Sequence, residues 1–475
     1  MSTNETDTIA PEGAAAADAP VENTNRKQPF PRGFLETIST GWAERPDLTP
    51  PQREQAPFAA ARRDALSAVF PGRRLVLPAG AYKQRSNDTD YPFRAHSAFS
   101  HLTGWASDSV PDSVLVFEPT GEVGHDITLY LRERADRTTA EFYGDATIGE
   151  FWIGPRPALA GVASDLGLAT AHIDAFTERD GDLVVGDDPE LTRVVSELRL
   201  VKDAYEIDQM RLAVEVTARG FDDIVRDLPR IIATPRGERA VEGVFHHRAR
   251  IDGNGEGYDT IAASGPHACY LHWTRNDGAV VPGDLILIDA GVEVDSLYTA
   301  DITRTLPVSG TFSDVQRKVY ETVREAADAA FAVAKPGVRF RAVHEAAMAV
   351  IAARTAEWGL LPVTAQEALD ADNGGQHRRY MVHGTSHHLG IDVHDCAQAR
   401  REMYYDGLLE EGMVFTIEPG LYFQIDDLTV PEEYRGIGVR IEDDVLVTTD
   451  GVENLSAGIP RTADEVEAWI ARLAT

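Results

Sequence analysis

The sequence has few of the features that mark a secreted or membrane protein. It contains only two cysteines, Cys269 and Cys396, among 475 residues, too few for the disulfide framework of a small secreted domain. We therefore expect two reduced thiols. No apolar run reaches the length of about 18 residues that a membrane-spanning helix needs, and the first residues lack the basic start and the apolar core of a secretory signal. These absences predict a cytoplasmic protein without a membrane partner.

Basic residues are also scarce. The chain has 45 lysines and arginines against 77 aspartates and glutamates, which gives a formal net charge of -32. Such a field repels the phosphate backbone of nucleic acids. We therefore expect no nucleic-acid partner, and a well-solvated acidic surface explains the composition.

The length and the apolar pattern predict two domains after a disordered acidic tail. Residues 1–28 are nearly free of large apolar side chains, so burial cannot offset the entropy of ordering them. Within residues 29–195, short strand-like segments alternate with helical ones, which predicts an α/β domain. Residues 196–475 carry long amphipathic helices and β-rich stretches in separate blocks, which predicts an α+β domain.

The second domain has the clearest periodicity. Apolar residues recur at steps of three and four in three predicted helices, at 203–228, 313–334 and 341–359. Ser313 is a suitable N-cap for the second of them. The β-rich stretches cover residues 279–309 and 412–449.

Two aspartates lie where strand-like patterns meet a turn. Asp289 follows four consecutive apolar residues in LILIDAG, and Asp301 stands 12 residues later at the start of a second β-like run. If the chain doubles back at Gly291, the two carboxylates face each other in a poorly hydrated interior, where like charges need a cation or a shared proton. The alternative is a turn residue at Asp289 and an exposed one at Asp301.

Acidic residues near the C-terminus show a similar pattern. Glu418 ends an apolar run and precedes the turn signal Pro419-Gly420. In GVRIEDD, Arg440 and Glu442 alternate with apolar residues and therefore share one face of a strand. The two form either a structural ion pair or an arginine that orients a metal-bound carboxylate.

Four histidines cluster within the segment MVHGTSHHLGIDVHD: His383, His387, His388 and His394. Glycines interrupt any helical pattern there, so this is not the helical two-histidine zinc motif. His387 and His388 are adjacent and would point in opposite directions on a strand, so we expect only one of them to be a ligand. The alternative is that these are hydrogen-bonded core residues, as a lone buried histidine usually is.

Two aspartates, two glutamates and one histidine form an oxygen-rich ligand set with one imidazole. This set suits Mn²⁺, with Co²⁺, Zn²⁺ or Fe²⁺ as alternatives. Five ligands can hold two ions about 3.5–4 Å apart, and a water bridging them loses a proton near neutral pH and becomes a nucleophile. The ligand set therefore predicts hydrolysis.

The motifs DAG, DITRT, HGTSHHLGIDVHD, TIEPGLY and GVRIEDD occur in this order, and the order resembles that of the Xaa-Pro aminopeptidases (aminopeptidase P), a family of pita-bread metallopeptidases. The resemblance is strong over residues 195–460 and looser in the N-terminal domain, where RAHSAFSHLTGW carries it. It implies an α+β pita-bread domain of the creatinase and methionine-aminopeptidase type, preceded by a creatinase-like α/β domain. It also implies homodimers or homotetramers.

The resemblance implies roles for individual residues. The five ligands of a dinuclear, usually manganese, centre would be Asp289, Asp301, His387, Glu418 and Glu442. Glu418 would also take the proton from the attacking water. His272, in CYLHW, would contact the scissile peptide and steady the tetrahedral intermediate. His383 and His394 would position the substrate, and Arg440 would support the carboxylate cluster.

The implied reaction removes the N-terminal residue from peptides with proline in second position, by attack of a metal-bridging hydroxide. An Xaa-Pro dipeptidase (prolidase) with the same dinuclear site is an alternative that these motifs do not exclude. A metal-free pita-bread module, acting as a binding protein or a creatinase-like hydrolase, is a third reading, and it would be marked by lost ligands.

The sequence departs from the family pattern in two places. An Asn-Ser-Asp run of the family is His96-Ser97-Ala98 here, which removes an acidic contact across the subunit interface. The spacing from Asp289 to Asp301 is one residue longer than in bacterial relatives. His267 has no counterpart in the family pattern, and we expect it to be a loop residue.

Overall fold

The structure is a computed structural model that describes residues 30–474. The predicted disordered tail of residues 1–28 lies outside the described residues. The helices are α1 (Arg32–Ile38), α2 (Ala56–Val69), α3 (Ser97–Thr103), α4 (Ala140–Gly144), α5 (Glu150–Ile153), α6 (Leu159–Leu166), α7 (Pro189–Glu197), α8 (Ala204–Ile232), α9 (Gly237–Asp252), α10 (Asp314–Val333), α11 (Arg341–Glu357), α12 (Ala365–Ala368) and α13 (Ala463–Leu473).

The strands are numbered in the same way. They are β1 (Leu75–Pro78), β2 (Gln84–Ser86), β3 (Thr89–Asp90), β4 (Val114–Pro119), β5 (His125–Leu131), β6 (Ala169–His172), β7 (Leu183–Val184), β8 (Gly255–Glu256), β9 (Ile261–Ser264), β10 (Leu285–Ala290), β11 (Val292–Glu293), β12 (Ile302–Pro307), β13 (Val414–Ile417), β14 (Gly420–Tyr422), β15 (Gly438–Arg440), β16 (Asp443–Val447) and β17 (Val452–Asn454).

The described chain divides into two compact units. The smaller consists of residues 30–46 and 134–156, and the larger of 47–133 and 157–474. In the smaller unit, Arg45 Nη1 donates a 2.8 Å hydrogen bond to the buried carboxylate of Glu150. Because Arg45 and Glu150 come from different segments, this ion pair helps to join them. The predicted domain boundary near residue 195 stays a prediction.

A five-stranded mixed sheet forms the first part of the larger unit, in the order β6-β5-β4-β1-β7. β4 pairs antiparallel with β1 and β5, whereas β7 and β6 add in parallel at the two edges. Leu75 and Leu77 pack into one apolar cluster, and Val76 between them packs into another. Both faces of β1 are therefore buried, which explains its continuous apolar run. The predicted interleaving of strands and helices is confirmed.

Long helices begin where the capping residues of the sequence indicate. α8 starts with a capping box between Asp203 and Glu206, and α10 starts with one between Ser313 and Gln316. The expected N-cap at Ser313 is thus confirmed. α9 is not predicted from the sequence, because its buried apolar residues recur only every fourth position and form a narrow stripe.

Two small antiparallel sheets follow two pairs of helices. α8 and α9 precede the sheet β12-β10-β9, and α10 and α11 precede the sheet β13-β16-β17. Four of the six strands lie in the two stretches that the sequence predicted to be β-rich, whereas β9 and β17 lie outside them. Both cysteines are free and buried. Among the described residues, no helix combines the length and the apolar character needed to cross a bilayer.

Candidate metal centre

One cavity of about 570 Å³ brings the predicted site residues together. Its lining includes Asp289, Asp301, His387, Glu418, Glu442, His272, His383, His394 and Arg440. They come from strands and loops that are far apart in the sequence. The fold therefore places every predicted site residue at a single cavity.

The two aspartates meet because β10 and β12 run antiparallel. In this register Asp289 lies opposite Thr303, and Asp301 immediately precedes β12. Asp301 and Thr303 are two positions apart and point to the same face. The chain doubles back between the strands, as the spacing of the aspartates predicted.

A tyrosine hydroxyl lies between these two carboxylates. Tyr258 Oη is 2.7 Å from Asp289 Oδ1 and 2.5 Å from Asp301 Oδ1. A phenol carries one proton and can donate to one of the two oxygens at a time. The remaining negative charge at this point therefore calls for a cation.

Arg440 contacts the oxygen of Asp289 that Tyr258 does not. Its Nη2 donates a 2.5 Å hydrogen bond to Asp289 Oδ2, and its Nε donates one of 3.1 Å to Thr303 Oγ1. Thr303 in turn donates a 2.7 Å bond to Glu442 Oε2. Arg440 thus contacts Asp289 directly and reaches Glu442 only through Thr303. Arg440 and Glu442 therefore do not form the direct ion pair that the sequence suggested as one possibility.

The adjacent histidines point in opposite directions. His387 Nε2 lies 3.2 Å from Asp301 Oδ2 and 3.7 Å from Glu418 Oε1. Its Nδ1 lies 3.1 Å from the carbonyl oxygen of His388, and donation there leaves Nε2 as the basic nitrogen that faces the carboxylates. His388 is buried against the ring of Phe340.

Three further histidines form the wall of the cavity. His383 Nε2 is 2.8 Å from the hydroxyl of Tyr422, and His383 Nδ1 is 2.7 Å from the carbonyl oxygen of Gly384. The ring of His394 packs edge-on against His387 at 4.4 Å between centroids. His272 lines the cavity from the loop after β9.

The electrostatics show how unfavourable the cluster is without a counter-ion. Burial raises the pKa of Glu418 to about 7 and that of Glu442 well above its usual range. Burial also raises the pKa of Asp289, although Arg440 opposes the shift. Burial alone would lower the pKa of His387, but its hydrogen bond to Asp301 and the charge of Glu418 raise it to about 9.

The donor set fits a metal. One ligand atom from each of Asp301, His387 and Glu442 lies within 4.8 Å of the others, so a single cation could contact all three. The raised pKa values of Glu418 and Glu442 indicate that these two carboxyl groups prefer a proton, or an equivalent positive charge, at the site.

Some residues of the site were missed by sequence reasoning. Asp444 is buried behind the cluster, and its carboxylate accepts a 3.2 Å hydrogen bond from the backbone N–H of Asp301. The other missed residues are Tyr258, Thr303 and Tyr422. The alternation in DITRT could have identified Thr303, because it lies on the same strand face as Asp301.

The loop that carries His272 is attached to α9 by a fully buried glutamate. The carboxylate of Glu238 accepts hydrogen bonds from Ser264 N (2.8 Å), His267 Nδ1 (2.7 Å), Trp273 Nε1 (3.0 Å) and Gly278 N (2.6 Å). One turn later, Glu242 Oε2 accepts a 3.0 Å hydrogen bond from Asn276 Nδ2. His267 is a loop residue, as expected, and it has a structural partner in Glu238.

A buried ion cluster fixes the segment that contains His394, residues 391–395. Arg199 Nε lies 2.9 Å and Lys202 Nζ 3.3 Å from the buried carboxylate of Asp395. From the N-terminal part of the unit, Arg94 donates to the carbonyl oxygen of Ile391. Arg94, Arg199 and Lys202 therefore hold this segment, and none of them belongs to the strands that carry the predicted ligands.

The raised pKa of Glu418 predicts a pH-dependent stability of the metal-free protein. Between pH 4.5, the reference pKa, and about pH 7, the folded state binds more protons at this group than the unfolded state. Its contribution to the free energy of unfolding should therefore fall as the pH rises, by about 3 kcal/mol. Urea unfolding at about pH 5 and pH 8 would measure this against Glu418→Gln, which cannot titrate. Equal pH dependence in the two proteins would refute the shift.

Comparison with known proteins gives a consistent result. The family model described as metallopeptidase family M24 matches residues 208–449, and that described as the aminopeptidase P N-terminal domain matches residues 59–180. The chain is 53% identical over 460 residues to Xaa-Pro aminopeptidase 2 of Streptomyces coelicolor, covering 92% of this chain and 96% of the relative.

Solved structures match along most of the chain. The aminopeptidase PepP of Pseudomonas aeruginosa matches with a TM-score of 0.75 and 33% identity, over 89% of this chain and 99% of that one. Zn-substituted aminopeptidase P of Escherichia coli in complex with product matches with a TM-score of 0.75 and 30% identity, over 88% of this chain and 99% of that one. These matches confirm the predicted fold class, an α/β N-terminal domain and an α+β pita-bread domain.

Proposed function

The chain belongs to metallopeptidase family M24 and, within it, to the Xaa-Pro aminopeptidases, and we propose that it removes the N-terminal residue from peptides with proline in second position. The observation that carries this proposal is the convergence of the predicted ligands and of His272, His383, His394 and Arg440 on one cavity. A metal-free binding module is disfavoured, because all five predicted ligands line the cavity.

The metal proposed for this site is a pair of divalent cations, Mn²⁺ in the first instance, with Co²⁺, Zn²⁺ or Fe²⁺ as alternatives. Asp289, Asp301, His387, Glu418 and Glu442 would hold it. When bound, such a pair lowers the pKa of a shared water and polarises the scissile carbonyl. The Zn-substituted relative from Escherichia coli supports a site that tolerates more than one of these metals.

We assign the proton transfer of the reaction to Glu418. Its Oε2 lies 3.5 Å from His383 Nδ1, at the side of the cluster that faces the cavity. In the proposed reaction Glu418 takes a proton from the attacking water, whose oxygen bonds to the scissile carbonyl carbon. When the bond to proline breaks, Glu418 returns the proton to the proline nitrogen, which leaves as a secondary amine.

The histidines would divide the remaining tasks. His272 would donate to the oxygen that gains negative charge in the tetrahedral intermediate. Both nitrogens of His383 are engaged, by Tyr422 and by the carbonyl of Gly384. Its ring is thereby fixed and can contact a proline ring by shape rather than by hydrogen bonding. His394, whose ring packs against that of His387, would position the substrate.

The test combines metal analysis with a choice of substrates. The purified protein, loaded with Mn²⁺, is offered an Xaa-Pro dipeptide and a tripeptide with proline in second position. Cleavage of the tripeptide, with about two metal ions per chain, is the expected result. Cleavage of the dipeptide alone would favour an Xaa-Pro dipeptidase with the same dinuclear site and overturn the proposal.

The proposal extends to the setting of the enzyme. We place it in the cytoplasm, as a homodimer or homotetramer, with a domain boundary at residues 195–196. The two free, buried cysteines support the location. The family resemblance supports the assembly and the domain boundary. Light scattering of the purified protein would give the subunit number.

A further inference from the structure

A second, smaller cavity shares a wall with the catalytic cavity. Its volume is about 220 Å³, and His383, Gly384 and Ser386 line both cavities. The rest of its lining consists of Phe340, Arg341, His344, Arg378, Thr385 and Tyr405. We call this cavity the side pocket.

The side pocket is cationic in a strongly acidic protein. No aspartate or glutamate is among its lining residues in the described range 30–474, whereas two arginines are. Arg341 is partly neutralised, because its Nη1 lies 3.1 Å from Asp406. Arg378 donates a 3.0 Å hydrogen bond to the carbonyl oxygen of Val382, and within the described chain no ion pair with a carboxylate is found for it. Its positive charge is therefore available to a ligand.

Two neutral groups add hydrogen-bond donors. His344 Nδ1 lies 2.8 Å from Thr385 Oγ1 and accepts a 3.2 Å hydrogen bond from the backbone N–H of Thr385, which favours the tautomer with the ring proton on Nε2. Burial lowers the pKa of His344, which favours this neutral form. The hydroxyl oxygen of Ser386 is buried and has no hydrogen-bond partner among the described residues. The side pocket thus offers donors and positive charge, the chemistry that recognises a carboxylate.

The side pocket adjoins the catalytic cluster, and a short peptide is the substrate whose terminal carboxylate stays near that cluster. His383, in the shared wall, lies 3.5 Å from Glu418. An extended peptide advances about 3.3–3.6 Å per residue, so the terminal carboxylate of a tripeptide lies about 7 Å beyond the scissile bond. A longer peptide carries no terminal charge at this distance.

We propose that the side pocket binds the C-terminal carboxylate of tripeptide substrates, and of the dipeptide released from them, through Arg378. This inference rests on the proposed function. It makes the enzyme selective for short peptides with a free C-terminus. The carboxylate of an aspartate side chain has the same chemistry, and the experiment separates it from the terminal one.

Calorimetry of product binding tests the proposal without requiring turnover. The probes for the Mn²⁺-loaded protein are prolyl-alanine, its C-terminal amide, and prolyl-aspartic acid α-amide, whose only carboxylate is on the side chain. Prolyl-alanine should bind about tenfold more tightly than either of the other two, as expected for one charge-assisted contact. In Arg378→Gln this ratio should fall to about one.

Arg379→Gln is the matched control. It removes the neighbouring guanidinium, which forms two hydrogen bonds with Asp427 and does not line the side pocket, so the tenfold preference should persist. Equal binding of acid and amide by the unmodified protein, an unchanged preference in Arg378→Gln, or equal binding of the side-chain acid would each overturn the proposal. Preference for the acid without cleavage of any Xaa-Pro peptide would instead overturn the proposed function and leave the side pocket supported.

Discussion

Replacing Asp289 with asparagine should remove most of the bound metal and lower kcat/KM by about a thousandfold. The carboxylate contacts both Tyr258 and Arg440 and lies in the cavity of the proposed ligands. An amide has no negative charge to offer a hard cation. Its NH₂ group would also face one of the two hydrogen-bond donors, Tyr258 or Arg440. A metal pair contributes several kcal/mol to the transition state, and about 4 kcal/mol corresponds to a thousandfold in rate.

Elemental analysis and steady-state kinetics measure the two effects together. Asp284→Asn is the matched control, because Asp284 immediately precedes β10, the strand that carries Asp289, and is not part of the cavity. We expect this control to keep its metal and its activity. Full metal occupancy and undiminished turnover in Asp289→Asn would remove Asp289 from the ligand set.

Replacing Glu238 with glutamine should lower kcat by about a hundredfold while changing KM little. The substitution keeps the size of the side chain but turns one oxygen into an NH₂ group. That group would face Trp273 Nε1 and Gly278 N, which donate to Glu238 Oε2. The loop must then shift, and a displacement of about 1 Å at a catalytic group can reduce the rate about a hundredfold. Because His272 is proposed to act on the transition state, the loss of rate should appear as a lower kcat and not as a higher KM.

Glu242→Gln, one turn along the same helix, provides the comparison. Glu242 accepts one hydrogen bond from this loop, from Asn276, and the remaining oxygen of a glutamine can accept it equally well. Its kcat should stay within about twofold of the unmodified protein. If the two variants behave alike, Glu238 has no special role in positioning the loop.

The positions of the proposed ligands could be predicted because they follow from local patterns. Asp289 lies in an apolar strand, Asp301 opens the strand that pairs with it, and Glu418 directly follows β13. An antiparallel hairpin brings the first two together whatever the rest of the fold does. The family resemblance then supplied the substrate, which no local pattern could indicate.

The residues that sequence reasoning missed contact partners that are distant from them in the sequence. Tyr258 contacts Asp289 from 31 positions away, and Asp444 contacts Asp301 from 143. Their neighbours in the sequence give no periodic signal that identifies these partners. Glu238 was missed for a second reason, because two of its four donors are backbone N–H groups, which every residue except proline possesses.

The ion cluster around Asp395 limits how far the protein can be shortened from its N-terminus. Cutting the chain near residue 205 to obtain a minimal peptidase would discard Arg199 and Lys202, both of which are buried against this aspartate. An anion stranded in the interior costs about 3–5 kcal/mol, so such a fragment should be insoluble or lose its active conformation. A shortened protein should therefore start upstream of Arg94, whose bond to Ile391 supports the same segment.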